Sequence, residues 1–258
     1  MINRRISFEK INNCRDLGGL TNNEGAAIRS GVLFRSAKLF KASDSDLKKL
    51  SGELALKRVI DLRTSMEVAE KPDKPVPGAE HIHIAVFDDM REGISHEEET
   101  DNKSDMFISD MARLYVSLVT DPFCQKNFAR ILRIIFSHDP SSGSILWHCT
   151  EGKDRCGLVT MFVLSALDVD RETILDDYLL TNEVNVARAE MIYQRCMAKG
   201  IEEKTALQIR ESFLAKEEYL CAAMQVIDTS FNGMGSYLRN TLGISDSEIR
   251  AFQEKMLV

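Results

Sequence analysis

The run Ser144-Ile145-Leu146-Trp147-His148-Cys149-Thr150-Glu151-Gly152-Lys153-Asp154-Arg155 constrains this chain more than any other stretch. A short apolar segment, too brief for a helix, meets a polar turn containing one glycine. A helical pattern then runs from about Cys156 to Leu167. Strand, tight loop and helix in that order belong to layered α/β architecture, because the helix must fold back to cover the strand. The same order gathers unpaired backbone N–H groups at a helix N-terminus, where an anion binds. Gly152 relieves the sharpest bend. Arg155 offers a planar fork of donors for two oxygens of a tetrahedral anion, and Lys153 adds a second positive charge.

The rest of the pattern agrees with a mixed α/β core. Strands are predicted near Val32-Leu33-Phe34, over Lys57–Leu62 and over His81–Val86. Ser43 with Asp46, and Thr64 with Glu67, have capping-box spacing and start short helices. Residues 88–105 are polar, acid-rich and aperiodic and read as a loop. A helix precedes Asp121, which caps the next one, with Pro122 at its first position, up to about Ser137. The C-terminal third is helical: one long helix from Asp170 to Gly200, another from Lys204 to Ile227, and a last one box-capped by Ser245 and Glu248. The expectation is one domain over residues 1–258, a central, mostly parallel sheet flanked by helices, with a helical insertion at about 170–227.

Bulk composition narrows the function. A formal net charge of -7 over 258 residues argues against a broad nucleic-acid surface. No apolar run is long enough to span a bilayer, and no secretory signal is visible, so a cytoplasmic setting is expected, with export without a visible signal left open. The six cysteines are scattered without paired spacing, which reads as reduced thiols and not as a disulfide framework or zinc site. His81 and His83 share a strand face but make a poor metal site by themselves.

The spacing Cys-x5-Arg occurs twice, and context separates the two. Cys124 and Arg130 lie inside the Asp121-capped helix without a glycine between them. Six residues of helix separate them by about 9 Å along the axis and turn them to different faces. Cys149 and Arg155 flank a loop able to wrap an anion. Cationic surroundings at a helix N-terminus stabilise a thiolate, which makes Cys149 the candidate nucleophile. Attack on a phosphate ester gives a phosphocysteine that water hydrolyses, with no metal or cofactor. Thr150, Glu151, Gly152, Lys153, Asp154 and Arg155 are the expected phosphate-binding residues, and His148 is expected to fix the loop. An inert buried cysteine is the plainer alternative.

His148 to Gly157 resembles the HCxxGKDRTG signature of a bacterial tyrosine-phosphatase family. Further similar stretches follow in chain order: Asn13 to Gly19, Leu33 to Ala37, Val59 to Arg63, Asp177 to Asn182 and Tyr237 to Ile244. The resemblance covers nearly the whole chain. It implies a tyrosine-phosphatase fold with the loop at a strand's C-terminal end, and phosphotyrosine as first substrate. Phosphoserine, phosphothreonine or phosphoinositide are possible extras, since a lysine at the Lys153 position also occurs in phosphatases acting on inositol phospholipids. Arg15, Asp16 and Arg35 read as scaffold. Two departures stand out. Cys156 replaces the Thr or Ser whose hydroxyl helps the nucleophile leave, and Cys14 replaces a Phe and becomes a candidate redox partner.

The leaving group needs a carboxylic acid within hydrogen-bond reach. Asp154 is the first choice, and Asp88 and Asp89 are alternatives. Asp61 and Arg63 either buttress the loop or contact substrate, or else form a structural ion pair. The insertion at 170–227 is expected to cover the site as a lid. Two other readings remain: a phosphate-binding pseudophosphatase, and a sulfurtransferase using Cys149 as a persulfide carrier. The sequence leaves the oligomeric state open.

Overall fold

Ile145, Leu146 and Trp147 have no exposed surface. An apolar strand covered on both faces belongs at the middle of a sheet. In the computed structural model, which describes residues 4–88 and 111–258, this strand is β5 (Ser144–His148), flanked by β2 (Leu33–Ser36) and β3 (Leu56–Asp61). The sheet order is β1 (Arg15–Asp16), β2, β5, β3, β4 (Glu80–His83). The four longer strands run parallel, and β1 is antiparallel to β2. The strand expected over His81–Val86 ends at His83. Beyond it the chain still follows β3, with Ile84 and Val86 donating backbone bonds to Asp61 and Leu62. His81 and His83 are structural, as read: His81 Nε2 accepts from the Val76 N–H at 2.9 Å, and His83 Nε2 lies 2.7 Å from the Arg63 carbonyl.

Helices cover the sheet. Ser43 box-caps α1 (Asp44–Lys48) and Thr64 box-caps α2 (Ser65–Glu70), as their spacing predicted. α3 (Met111–Thr120) leads into α4 (Pro122–Ser137), whose Asp121 cap accepts from the Phe123 and Cys124 N–H groups. α5 (Asp154–Ala166) follows β5 and is buried almost all round. Phe162 on α5 packs edge-on against Phe128 on α4 and stacks on Tyr237, with ring centroids at 5.2 and 5.6 Å. The final helix, α10 (Asp246–Met256), has its Ser245–Glu248 box. Among the described residues no helix is long and apolar enough to cross a membrane.

The two long helices expected in the C-terminal third are four. The first is α6 (Arg171–Leu179) and α7 (Asn182–Ala198); the second is α8 (Glu203–Ser212) and α9 (Glu217–Ser230). Tertiary bonds hold the second break in place. Asn182 donates to the Ala215 carbonyl and accepts from the Ala215 N–H, both at 2.8 Å. Asn185 takes the Phe213 carbonyl at 2.9 Å. Backbone groups of residues 213–215 are thereby drawn away from helical partners. The stretch between α8 and α9 lies across the start of α7.

Under the sheet's C-terminal edge, Asp177 of α6 is fully buried and gathers three arginines. Arg4 reaches it at 2.8 Å, Arg15 at 3.1 Å and Arg35 at 2.8 Å. Burial opposes ionisation of this carboxyl, but Arg15, Arg35 and Arg4 outweigh it and pull its pKa well below the usual range. Its contribution to stability is therefore full above the ordinary carboxylate pKa and is lost as pH falls through the lowered folded value. Asp177→Asn leaves the guanidinium groups without their shared counter-charge and is expected to destabilise the fold by about 3–5 kcal/mol at neutral pH. Urea unfolding of both proteins at pH 7 measures this. A difference under about 1 kcal/mol would show that the arginines find other partners.

Candidate active site

β5 ends at His148 and α5 begins at Asp154, so Cys149 to Lys153 form the turn between them. Three neighbours pull the loop's carbonyls to one side. The Lys38 N–H donates to the Thr150 carbonyl at 3.3 Å. Asn13 Nδ2 donates to the carbonyls of Glu151 and Gly152 at 3.0 and 3.1 Å. Arg35 Nη2 donates to the Gly152 carbonyl at 2.8 Å. In a trans peptide the C=O and the following N–H point in opposite directions. Pinning these carbonyls outward therefore turns the N–H groups of Glu151, Gly152 and Lys153 to the other side, as an anion nest requires. Gly152 is obligatory twice over. Its φ is +66°, and a Cβ there would lie 2.6 Å from the Ser36 carbonyl carbon and oxygen.

Arg155 is oriented by Glu67. Its Nη1 and Nη2 donate to Glu67 Oε2 and Oε1 at 2.5 and 2.8 Å, and its guanidinium lies 5.1 Å over the Phe87 ring. Glu67 also accepts from Thr150 Oγ1 at 2.5 Å and from the Thr64 N–H at 2.8 Å. Burial opposes its ionisation, but Arg155 and Thr150 outweigh that and hold its pKa far below the usual value. Burial likewise acts against the Arg155 charge, and Glu67 first and Cys149 second raise its pKa instead. Cys149 thus sits within electrostatic reach of Arg155. Burial alone would lower the pKa of Arg35, but Cys156, Asp177 and Cys149 together raise it. Arg35, expected as scaffold, both holds the loop and brings charge near the sulfur.

Asp154 is buried and accepts from Tyr115 Oη at 2.7 Å, while Tyr115 also pairs with Tyr178 Oη at 2.7 Å. Of the alternative acids, Asp88 directly follows Phe87, the ring over Arg155, and Asp89 lies outside the described residues. Asp61 and Arg63 form the ion pair, at 2.7 Å, and Arg63 also reaches Asp73 at 2.9 Å. Burial opposes ionisation of Asp61, but His148 and Arg63 hold its pKa at about 2. Ligand-type atoms of Asp61, Asp73 and His148 lie within 4.8 Å of one another. Arg63 already supplies a cation to both carboxylates.

Burial pushes the thiols of Cys156 and Cys14 up to about 12 each. Cys156 Sγ faces the Trp147 carbonyl at 3.6 Å. Cys124 and Arg130 separate as expected: Cys124 is buried, whereas Arg130 is exposed and bonds Asn127 at 3.2 Å.

The loop is shut off from solvent, with Cys149 only 2% exposed. Its charged side chains meet the α7–α9 region. Glu151 Oε2 accepts from Arg188 Nη1 at 2.5 Å, and Arg188 lies over the Phe213 ring. Lys153, 1% exposed, donates to the carbonyls of Ser212 and Leu214. A cavity of about 600 Å³ lies at the other end of α5, beside Ala166, Ile174 and Gln253. Sequence reasoning missed Glu67, Asp73, Asn13 and Asp177 as site-building residues. Glu67 carried a signal as half of a capping box next to a strand end, and Asn13 and Asp177 as the first residues of stretches resembling the family.

A nest of N–H groups closed by a guanidinium, on a loop that begins with a cysteine, is the apparatus of a cysteine-dependent phosphoric monoester hydrolase. Residues 6–258 match the tyrosine phosphatase family, and the chain belongs to it. It is 31% identical to the triple specificity protein phosphatase PtpB of Mycobacterium tuberculosis, over 94% of this chain and 99% of that protein. It is 27% identical to a protein of Cupriavidus necator named as a candidate tyrosine-protein phosphatase, over 95% of this chain and 86% of the relative. A tyrosine-protein phosphatase of Nostoc commune is 29% identical over 60% of this chain and 50% of its own length.

Glu67→Gln keeps the shape but removes the charge that aims Arg155. It is expected to lower kcat/KM on an aryl phosphate about 100-fold, a penalty typical of misplaced catalytic groups. Steady-state kinetics with a thermal melt as folding control test this. An unchanged kcat/KM would show that Arg155 needs no such partner.

Proposed function

We propose that Cys149 attacks the phosphorus of a phosphate monoester, with phosphotyrosine the first substrate class. The observation that carries this reading is the outward pinning of the loop carbonyls by Asn13, Arg35 and Lys38. A nest with Arg155 at its rim fits three phosphate oxygens. The thiolate forms an S–P bond as the ester P–O bond breaks. Asp154, inside the same loop, gives its proton to the leaving oxygen. Its carboxylate then takes a proton from water, which attacks phosphorus and releases inorganic phosphate and thiolate. Electrostatic stabilisation of the transferring group by the N–H groups and Arg155 supplies most of the acceleration.

The segment from α7 to α9 acts as a lid in this proposal. Its closed position rests on Arg188–Glu151 and on Lys153 with the 212–214 carbonyls. Opening frees Lys153 and Arg188, two cations that suit additional phosphates on an inositol phospholipid as well as phosphorylated protein side chains. The mycobacterial relative is named for three specificities, which favours a broad substrate range here.

Turnover of an aryl phosphate, with Cys149→Ser at least about 1,000-fold slower, is the expected result. Equal phosphopeptide binding by both proteins without hydrolysis by either would make the chain a binding module instead. Asp154→Asn is expected to lower kcat about 100-fold on an alkyl phosphate and far less on an activated aryl phosphate, whose leaving group needs no proton. The same loss on both substrates would remove Asp154 as the acid. Arg188→Ala is expected to speed iodoacetamide alkylation of Cys149, followed by mass spectrometry. An unaltered rate would show that this pair does not hold the lid.

A further inference from the structure

Asp154 has two carboxyl oxygens, and the structure treats them differently. Tyr115 Oη donates to Oδ1 at 2.7 Å, and Lys153 Nζ stands 3.4 Å from the same oxygen. A neutral carboxyl bears its proton on one oxygen and accepts through the other. A phenol donor and an ammonium group beside Oδ1 both disfavour a proton there, so a protonated Asp154 carries it on Oδ2.

Tyr115 is built to hold that oxygen. It has no exposed surface, and neither has Tyr178. A phenol has a single proton to give. With that of Tyr115 directed at Asp154, its oxygen accepts from Tyr178 Oη at 2.7 Å. The Tyr178 ring lies against α5 at Gly157, where a Cβ would come within 3.1 and 3.2 Å of its Cδ2 and Cε2. Gly157 is three residues beyond Asp154 on that helix, hence on the same face. The helix lacks a side chain at the point where the second phenol approaches the first. Tyr219 of α9 adds its ring, 5.9 Å from that of Tyr115.

We propose that Tyr115 is a positioning residue for the acid step, its phenol fixing Asp154 Oδ1 so that the transferable proton stays on Oδ2. This deepens, and rests on, the reading of Asp154 as the acid. The proton leaves Oδ2 for the ester oxygen as the P–O bond breaks. Its bonding electron pair stays on the carboxylate, and Oδ1 keeps the Tyr115 hydrogen bond. The charged and titratable groups facing this carboxyl are Lys153 and Arg155 on either side of it in the chain, Tyr115 from α3, Tyr178 from α6 and Tyr219 from α9. Burial is the main reason the Tyr115 phenol keeps its proton well above the ordinary range. A donor aimed at a carboxylate favours its ionised form. Removing that donor frees the carboxyl to turn, which slows proton transfer, and lets it keep its proton to higher pH.

The test is the pH profile of kcat/KM in the full chain, wild type against Tyr115→Phe, on an alkyl phosphate and on para-nitrophenyl phosphate. Comparing the two proteins on one substrate cancels the titration of the phosphate itself. At neutral pH the variant is expected to lose about tenfold on the alkyl ester and under about twofold on the aryl ester, whose leaving group needs no proton. Its basic limb on the alkyl ester is expected to move up by about one pH unit. A merely structural role would cost both substrates equally and leave the limb in place; either result overturns the proposal. Incorporating 3-fluorotyrosine at position 115 keeps the ring and the hydroxyl but strengthens the donor, so it serves even where Tyr115→Phe does not fold. It is expected to move the basic limb down, and an unmoved limb overturns the proposal as well. Asp154→Asn run beside these separates the two readings. Equal loss on both esters there would sink Asp154 as the acid and this inference with it. Selective loss there without selective loss in Tyr115→Phe would leave the acid standing and remove only the role of Tyr115.

Discussion

Collecting positive charge in a dry place is the constraint from which the rest of this structure follows. An anion nest works best away from water, where hydrogen bonds and charges are least screened. The same dryness makes an unpaired guanidinium expensive. Arginines packed around the loop have accordingly been given carboxylates: Glu67 for Arg155, Asp177 for Arg4, Arg15 and Arg35, and Asp61 with Asp73 for Arg63. These carboxylates come from α2, α6, the end of β3 and the Pro-rich segment beyond α2. The site therefore exists only when the whole domain has assembled around β5.

What the sequence made legible was local. The strand, the glycine turn and the helix after Cys149 are contiguous, so their chemistry could be read from spacing. The capping boxes at Ser43, Thr64 and Ser245 form for the same reason. The decoy pair Cys124 and Arg130 was separable because helix geometry alone decides it. Partners distant in the chain were not legible. Glu67 announced itself as a cap but gave no hint that its carboxylate also meets Arg155, 88 positions later. Asp177 opened a stretch resembling the family, but nothing nearby in the chain pointed to the three arginines it gathers. The second long helix was misjudged because Asn182 and Asn185 reach across to the backbone of residues 213–215, and periodicity carries no record of that.

Asp154 shows how far the chemistry depends on distant packing. It opens α5 beside Lys153, with its Nζ at 3.4 Å, yet its carboxyl is held by Tyr115 from α3. Tyr115 in turn meets Tyr178 from α6, and its ring is 5.9 Å from that of Tyr219 on α9. Three helices outside the loop thus converge on one carboxyl. Burial first, then Asp154 and Tyr178, drive the Tyr115 pKa well above its ordinary value. The phenol stays neutral and serves as a fixed hydrogen donor.

The contacts of Glu151 and Lys153 with Arg188 and the 212–214 backbone have a practical side. In the shut form the two most distinctive charges of the loop are already spent on the protein's own chain. Soaking crystals of that form with small fragments would sample the outer faces of α7 and α8 and miss the buried loop. If the segment from α7 to α9 opens as proposed, compounds for this enzyme are better sought in solution than in that form. The strongest ones would carry an anion for Arg155 together with groups that replace what Arg188 and the Ser212 carbonyl supply.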